Sequence, residues 1–207
     1  MKIYILRHGE RIPNKQVGEK ESLNLGLTKH GRNQVRASAN FLKNKIEHIV
    51  SSPIIRTKES AEILSEVTGL PINYNDNLKE FFAELNSSDQ KEGKRLKEYA
   101  RAHPDEPISG RESLNHAIDR LKKVIEGTSQ LSYKAVCLVT HRVIVEGMLA
   151  REWGVNKTEQ GWLRNASITA IDVKSGKAPK LLYYDRRIID WQLFIDLIKR
   201  RFLNKYE

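Results

Sequence analysis

Six short apolar runs rich in β-forming residues are spaced along this chain, and most are separated by amphipathic helical patterns. The runs are IYIL, HIVSS, PINYN, KAVCLVT, SITAIDV and PKLLYYD, at residues 3–6, 48–52, 71–75, 134–140, 167–173 and 179–185. Strands that alternate with helices need crossover connections, so the pattern predicts an α/β fold of three layers. We expect a mostly parallel central sheet with helices on both faces. The last two runs predict a hairpin at the sheet edge.

Capping residues and apolar spacing predict where the helices lie. Thr28 is the expected N-cap of a helix whose inward face holds Val35, Ala39, Leu42 and Ile46. Ser51 and Ser52, with Pro53 behind them, predict the start of the next helix. Ser109 and Glu112 have capping-box spacing ahead of the apolar stripe of Leu114, Ile118, Leu121 and Ile125. The last helix is expected to begin near Ile188.

Charged and titratable residues stand where three of the predicted strands end. Arg7 and His8 follow the first run, Arg56 comes shortly after the second, and His141 follows the fourth. The carboxyl ends of parallel strands form one crevice, which is where such sheets bind ligands. Guanidinium groups and helix N-termini both match the oxygens of a tetrahedral dianion. The pattern therefore predicts a phosphate pocket at this edge.

The motifs LRHGE, LTKHGRNQ, SSPIIRTKESAEIL, LKE, GRESL, VTH and NASIT occur in this order up to about Val173. Together they resemble the histidine phosphatase superfamily, which includes the cofactor-dependent phosphoglycerate mutases, and most closely its small branch. The resemblance implies a phosphoglycerate mutase-like fold. It also implies a metal-independent phosphomonoesterase that hydrolyses a small phosphorylated metabolite through a phosphohistidine.

The resemblance also implies a role for each site residue. His8 would attack phosphorus, while Arg7 and Arg56 hold the phosphoryl oxygens and keep the imidazole neutral. His141 matches the second histidine of the family and would donate to the phosphoryl group. Glu80 follows a leucine by two residues, as the acid of the family does, and we prefer it to Glu84 as general acid and later base.

Three further residues are candidate contacts of the phosphate or the substrate. Arg11 and Pro13 give the opening the form RHGxRxP, which is typical of the longer acid phosphatase branch, where the second arginine touches phosphate. Asn14 matches an asparagine that often follows the RHG and is a plausible phosphate contact. Arg142 stands where the small branch usually has glycine, and its side chain is expected either to clamp a second anionic group or to pack away from the site.

Length and composition limit the domain organisation. With 207 residues, of which 39% are hydrophobic, the chain is expected to form one domain over 1–207 with a helical lid or insertion around 76–127. The single cysteine, Cys137, lies in an apolar run and is expected to be buried. We find no signal-peptide pattern or membrane-length apolar run, and expect a cytoplasmic protein. No HExxH or EF-hand pattern occurs, so we expect no metal and no cofactor.

A net charge of +10 indicates an anionic partner without identifying it. The main hypothesis is a small-molecule phosphate ester as substrate of a hydrolase. Its alternatives are a mutase-type phosphotransferase, and a non-catalytic binder of phosphorylated ligands or nucleic acid. We do not expect nucleic acid, because no aromatic stacking platform is evident. The amphipathic C-terminal helix is expected to close the core or a homodimer seam.

The remaining aromatic and histidine residues are expected to play structural roles. His30, His48, His103 and His116 are interpreted as surface or capping residues, and the tryptophans as packing anchors.

Overall fold

The computed structural model describes residues 1–13, 25–81, 90–108, 110–155 and 163–203. Its sheet has six strands in the order β3-β2-β4-β1-β5-β6. Strands β1 to β4 run parallel, β5 is antiparallel to β1, and β6 is antiparallel to β5. The strands are β1 Lys2–Arg7, β2 His48–Ser51, β3 Ile72–Tyr74, β4 Ala135–Thr140, β5 Ile168–Asp172 and β6 Lys180–Arg186.

Six α-helices flank this sheet within the described ranges. They are α1 Lys29–Leu42, α2 Ile55–Thr68, α3 Gln90–Ala102, α4 Leu114–Ser129, α5 Arg142–Trp153 and α6 Trp191–Leu203. A short 3-10 helix, Asp76–Leu78, follows β3. The α/β fold with a mostly parallel sheet is therefore confirmed, and so is the hairpin of β5 and β6. The division into one domain with a lid over 76–127 stays a prediction.

The side chains of β1 alternate between two apolar cores, one on each face of the sheet. Ile3 and Ile5 pack with residues of α4 and α5, among them Ile118, Leu121, Ile144 and Met148. Tyr4 and Leu6 pack with residues of α1 and α2, among them Val35, Leu42 and Leu64. Because side chains of a strand point alternately up and down, a strand covered on both faces is apolar throughout. Cys137 of β4 is fully buried, as expected.

Three helix starts differ from the sequence predictions. Ser113 caps α4, since its side chain accepts a hydrogen bond from the backbone N–H of His116, whereas Ser109, the predicted cap, lies outside the described residues. Helix α2 begins at Ile55 after Ile54, without a side-chain cap. Helix α6 begins at Trp191, three residues after the predicted start. Thr28 caps α1 as predicted.

The burial expected for three of the remaining histidine and tryptophan residues was wrong. His30 and His48 are buried, with 6% and 7% of their surface exposed, whereas Trp191 is 74% exposed. His103 and His116 are exposed, as expected. In the part of the chain that the structure describes, no helix has both the length and the apolar content needed to cross a membrane.

Candidate active site

The carboxyl ends of three neighbouring strands meet in the middle of the sheet. Residues that follow these strands are linked to one another through the backbone: His8 N–H donates to Thr140 O at 3.1 Å, and Ser52 N–H donates to Val139 O at 3.0 Å. The strand order β2-β4-β1 thus places His8, Ser52 and His141 beside one another. The predicted convergence of these strand ends is what the fold produces.

His8 is held in one tautomer by the turn after β1. Its Nδ1 lies 2.7 Å from its neighbour's carbonyl, Gly9 O, so Nδ1 carries the proton and Nε2 keeps a lone pair. Glycine is required at position 9, because an added Cβ would collide with the backbone oxygen of Gly31 and with Val35. The Gly9 N–H donates to Ser60 Oγ at 3.2 Å, which fixes the turn against α2.

Arg56 faces the free nitrogen of His8 from the first turn of α2. Its Nε donates to His8 Nε2 at 3.3 Å. Burial lowers the pKa of Arg56 to about 10, although the carboxylate of Glu80 acts in the opposite direction. The guanidinium is still a full positive charge at neutral pH.

Arg7, the last residue of β1, brings a second guanidinium to the same place. Its Nη1 donates to the carbonyl of Leu163, and its buried Nε has no hydrogen-bond partner among the described residues. Burial and the nearby charge of Arg142 lower its pKa to about 10. A buried donor that lacks a partner is costly, so this Nε is well suited to an anionic ligand.

The imidazole of His8 is kept neutral by its surroundings. Only 5% of the residue is exposed, and burial, followed by the charges of Arg56 and Arg7, holds its pKa well below the usual 6.5. A neutral ring with an available Nε2 lone pair is the form that can act as a nucleophile.

His141 lies against His8 and is fully buried. The two ring centroids are 5.5 Å apart, with the planes inclined at 60°. His141 Nε2 is 2.9 Å from Ser52 Oγ, and its Nδ1 has no partner among the described residues. Ser52 Oγ accepts the N–H of Ile54 and can give its own proton to Nε2. That arrangement leaves an Nδ1–H donor on a ring whose pKa burial and Arg56 hold well below 6.5.

Glu80 is fixed at the N-terminus of α5. Its Oε2 accepts from the backbone N–H of Val143 at 3.4 Å, and its Oε1 accepts from that of Phe81 at 2.9 Å. The loop before it is held by Arg120, which donates to Asn77 O at 2.8 Å and to Lys79 O at 3.3 Å. The negative charge of Glu80 raises the pKa of both Arg7 and Arg56, against the effect of burial.

The structure describes two of the three other predicted phosphate or substrate contacts, Arg11 and Arg142. Arg11 forms an isolated bridge with Leu27, and its charge helps to lower the pKa of His8 and of Arg56, so it borders the pocket. Arg142 Nε lies 3.9 Å from Glu146 Oε1, and the charge of Arg142 helps to lower the pKa of Arg7. Asn14 and Glu84 lie outside the described residues.

Several residues of this pocket were not predicted as site residues from the sequence. Ser52 and Ser60 were not considered as site residues, because a serine after a strand or within a helix usually caps the helix or donates to a backbone carbonyl. Arg120 and Glu146 lie on helices that were interpreted from their apolar stripes alone. The spacing of four residues between Arg142 and Glu146, which is one helical turn, is the signal that could have identified Glu146. In the described ranges, no group of three or more His, Cys, Asp or Glu side chains is arranged to hold a metal ion.

Comparison with known proteins agrees with this geometry. The family model of the histidine phosphatase superfamily, branch 1, matches residues 3–186. PhoE of Bacillus subtilis (strain 168), described as an uncharacterized phosphatase, is 29% identical over 178 residues, covering 84% of this chain and 90% of PhoE.

Two solved structures share the fold. A mycobacterial hydrolase has a TM-score of 0.74 at 20% identity, covering 95% of each chain. A mycobacterial glucosyl-3-phosphoglycerate phosphatase has a TM-score of 0.70 at 20% identity, covering 90% of this chain and 99% of its own. Because the family model spans almost all of the sheet and every described residue of the pocket, the chain belongs to the histidine phosphatase superfamily, branch 1.

Proposed function

We propose that this histidine phosphatase hydrolyses a small phosphomonoester through a phosphohistidine on His8. The observation that carries the proposal is the surroundings of His8 Nε2. A neutral, buried imidazole presents this nitrogen to Arg56, with Arg7 next to it. This combination binds a phosphoryl group and attacks it, whereas a purely structural histidine needs no such concentration of buried positive charge.

The first half-reaction transfers the phosphoryl group to the enzyme. The Nε2 lone pair of His8 forms a bond to phosphorus while the bond to the ester oxygen breaks. Arg56 turns its hydrogen bond from Nε2 to a phosphoryl oxygen, and Arg7 and the Nδ1–H of His141 stabilise the charge on the others. Glu80, in its protonated form, gives the proton to the leaving alkoxide, which departs as an alcohol.

The second half-reaction returns His8 to its starting state. The Glu80 carboxylate, now ionised, removes a proton from a water molecule as that water attacks phosphorus. The bond between Nε2 and phosphorus breaks, and inorganic phosphate leaves. Positive charge for both steps comes from arginines, so the proposal requires no metal ion. Arg11 and Asn14 are proposed as additional phosphate contacts.

Rapid-quench labelling tests the covalent step. Wild-type protein mixed with a ³²P-labelled phosphomonoester should acquire label that is stable in alkali and lost in acid, as expected for a phosphohistidine. His8→Asn should acquire none and should lose turnover. The matched control is His116→Asn, which changes an exposed histidine of α4 and should behave as wild type. Turnover by His8→Asn at the wild-type rate would contradict the proposal.

Product analysis separates the hydrolase from the mutase alternative. A hydrolase transfers the phosphoryl group to water and releases inorganic phosphate in step with substrate loss. A mutase returns it to a substrate hydroxyl and yields an isomer. We expect inorganic phosphate as the product, in agreement with the description of PhoE as an uncharacterized phosphatase.

We also propose two properties of its partners and one of its location. The first is that nucleic acid is not a partner, and filter binding of labelled RNA at low salt checks it. The second is a homodimer, supported by the exposed stripe of Trp191, Phe194 and Ile198 on α6 and checked by sedimentation velocity. The third is a cytoplasmic location, which cell fractionation checks.

A further inference from the structure

Arg120 of α4 holds the backbone of the loop that carries Glu80. Its Nη1 donates to Asn77 O at 2.8 Å and to Lys79 O at 3.3 Å, and its Nη2 donates to Lys79 O at 3.4 Å. Lys79 is the residue directly before Glu80. A guanidinium is rigid and planar, so binding two carbonyl oxygens at once fixes both the place and the direction of the chain between them. The point at which Glu80 leaves the loop therefore depends on Arg120.

The guanidinium of Arg120 is itself held by a carboxylate. Its Nε donates to Glu112 Oε2 at 2.9 Å and its Nη2 donates to Glu112 Oε1 at 2.7 Å, which is the bidentate geometry that suits this group. The exposed His116 also lies 3.3 Å from Glu112 Oε2, but the bidentate pair does not depend on it. Each N–H of the guanidinium thus has an acceptor within the protein, and the side chain is only 15% exposed. Arg120 has no donor left for a substrate and can act only through the residues that it holds.

The same loop has further anchors in the core and on the sheet. Thr140, the last residue of β4, donates through Oγ1 to Leu78 O at 2.8 Å. The side chains of Leu78 and Phe81 are buried, with 0% and 6% of their surface exposed. Without Arg120 the loop would keep these buried anchors and lose the restraint on the peptide next to Glu80. The expected result of removing Arg120 is a displaced carboxyl group in a protein that still folds.

We propose that Arg120, oriented by Glu112, is a positioning residue for the general acid Glu80. A carboxyl group protonates a leaving group only within hydrogen-bond reach, and a displacement of about 1 Å can cost about 10²-fold in rate. An effect of charge alone is the weaker explanation. Burial and the charge of Arg56 lower the pKa of His141 more than the charge of Arg120 does. This inference rests on the proposed function and names the residues that place its acid.

The dependence of rate on the leaving group separates this role from a general structural one. An alkoxide needs the proton of Glu80 in order to depart, whereas p-nitrophenolate is a stable anion. Arg120→Met should lower kcat/KM for glycerol 3-phosphate about 10- to 10²-fold, and that for p-nitrophenyl phosphate by less than about threefold. Glu112→Gln should show a smaller loss of the same kind, because an amide offers Arg120 one acceptor oxygen instead of two. Equal losses for the two substrates would overturn the proposal.

Arg151→Met is the matched control. Arg151 joins α5 to α4 by donating to Asp119 Oδ1 at 2.7 Å and to Asn115 Oδ1 at 3.2 Å, and its hydrogen bonds within the described ranges do not reach residues 77–81. Both kcat/KM values should stay within about twofold of the wild type.

Arg120→Lys is measured in the same way and serves if Arg120→Met does not fold. An ammonium keeps the charge but cannot bind two carbonyls and a carboxylate in fixed directions, so we expect a selective loss here as well. Wild-type values for Arg120→Lys would show that charge alone suffices and would contradict the positioning role.

A double-mutant cycle assigns the effect to the general acid. In Glu80→Gln the proton has already been lost, so adding Arg120→Met should change the ratio of the two kcat/KM values by less than about twofold. Losses that multiply would show that Arg120 acts elsewhere and would overturn the proposal. Quench labelling keeps this inference apart from the proposed function. An unlabelled wild type whose ratio still changes in Arg120→Met contradicts the covalent step alone, whereas a labelled wild type with an unchanged ratio in Arg120→Met contradicts the positioning role alone.

Discussion

Arg56 Nε donates a 3.3 Å hydrogen bond to His8 Nε2, the nitrogen that is proposed to attack phosphorus. The bond occupies the nucleophilic lone pair while no substrate is bound. It also places a charged donor where a phosphoryl oxygen will lie once Nε2 has reacted. Arg56 thus helps burial to keep the imidazole neutral in the free protein and, in the proposed mechanism, stabilises the transition state afterwards.

Replacing Arg56 should therefore affect both the rate and the titration of His8. Arg56→Ala should lower kcat/KM about 10²- to 10³-fold, because a preorganised donor to the transition state is lost. The pKa of His8 should rise, although burial will still hold it below 6.5, because burial is the first cause of its lowering and Arg56 the second. Steady-state kinetics and NMR titration of the imidazole give the two readouts. An unchanged titration of His8 in Arg56→Ala would contradict this account.

The two buried histidines should make the protein less stable as the pH falls below 6.5. The pKa values of His8 and His141 lie well below 6.5 in the folded chain, mainly through burial, and return to about that value on unfolding. Between the folded and unfolded pKa values the unfolded chain binds more protons, so the free energy of unfolding decreases with decreasing pH. Each histidine contributes a slope of up to about 1.4 kcal/mol per pH unit in that window.

Urea unfolding between pH 7.5 and 5.5 measures this slope. The difference between the wild type and His8→Asn isolates the contribution of one buried histidine. His116→Asn, which changes an exposed histidine, should keep the wild-type slope. Identical slopes for the wild type and His8→Asn would show that His8 is protonated equally in the folded and unfolded states.

The fold and the main site residues could be predicted because each depends on short stretches of sequence. Strand β1 reads as a continuous apolar run since both of its faces are covered, and the parallel order then brings Arg7, His8 and His141 to one edge. The helix caps were less predictable. Ser113, which the sequence prediction did not use, caps α4 by accepting from the backbone N–H of His116.

Burial of isolated polar residues could not be predicted, because it depends on elements far away in the chain. His30 looks like a surface residue of α1, yet Asp196 of α6 covers it from a distance of 166 residues along the sequence. The contacts of Glu146 depend in the same way on distant elements, since its carboxylate pairs with Arg101 of α3 and accepts from the N–H of Leu163. A local pattern indicates which face of a helix is apolar but not which partner a polar side chain meets.

Glu80→Gln should show a loss of rate that depends on the leaving group. Glutamine keeps the hydrogen bond from Val143 but has no proton to give, so an alkyl phosphate should react about 10²- to 10⁴-fold more slowly. p-Nitrophenyl phosphate needs little protonation of its leaving group, and its first step should be nearly unaffected. Because the attacking water also loses its base, the phosphohistidine should accumulate. Its formation should be seen as a burst of p-nitrophenol.

Stopped-flow kinetics and quench labelling follow the burst, and Glu84→Gln tests the alternative acid. We expect Glu84→Gln to lack both the burst and the dependence on the leaving group. If Glu84→Gln showed them and Glu80→Gln did not, the general acid would have to be reassigned to Glu84.

Two ion pairs of α6, one with the turn after β1 and one with α1, should differ in their contribution to stability. Arg200 makes a bidentate pair with Glu10, with both distances at 3.1 Å, but the two side chains are 44% and 31% exposed. Asp196 instead pairs with His30, whose side chain is only 6% exposed. A pair in solvent gains little, whereas removing the partner of a buried polar group leaves that group desolvated without compensation.

Arg200→Met should accordingly lower the free energy of unfolding by less than about 1 kcal/mol, and Asp196→Ala by about 1–3 kcal/mol. Urea unfolding at pH 7 measures both. Glu10 is held independently, since its backbone N–H donates to Gln34 at 2.9 Å and its carboxylate accepts from Thr28 at 2.8 Å. The turn that carries His8 therefore stays in place in Arg200→Met, and kcat/KM should change by less than about twofold. A larger destabilisation by Arg200→Met than by Asp196→Ala would mean that the Arg200–Glu10 pair, and not the contact with buried His30, fastens α6 to the domain.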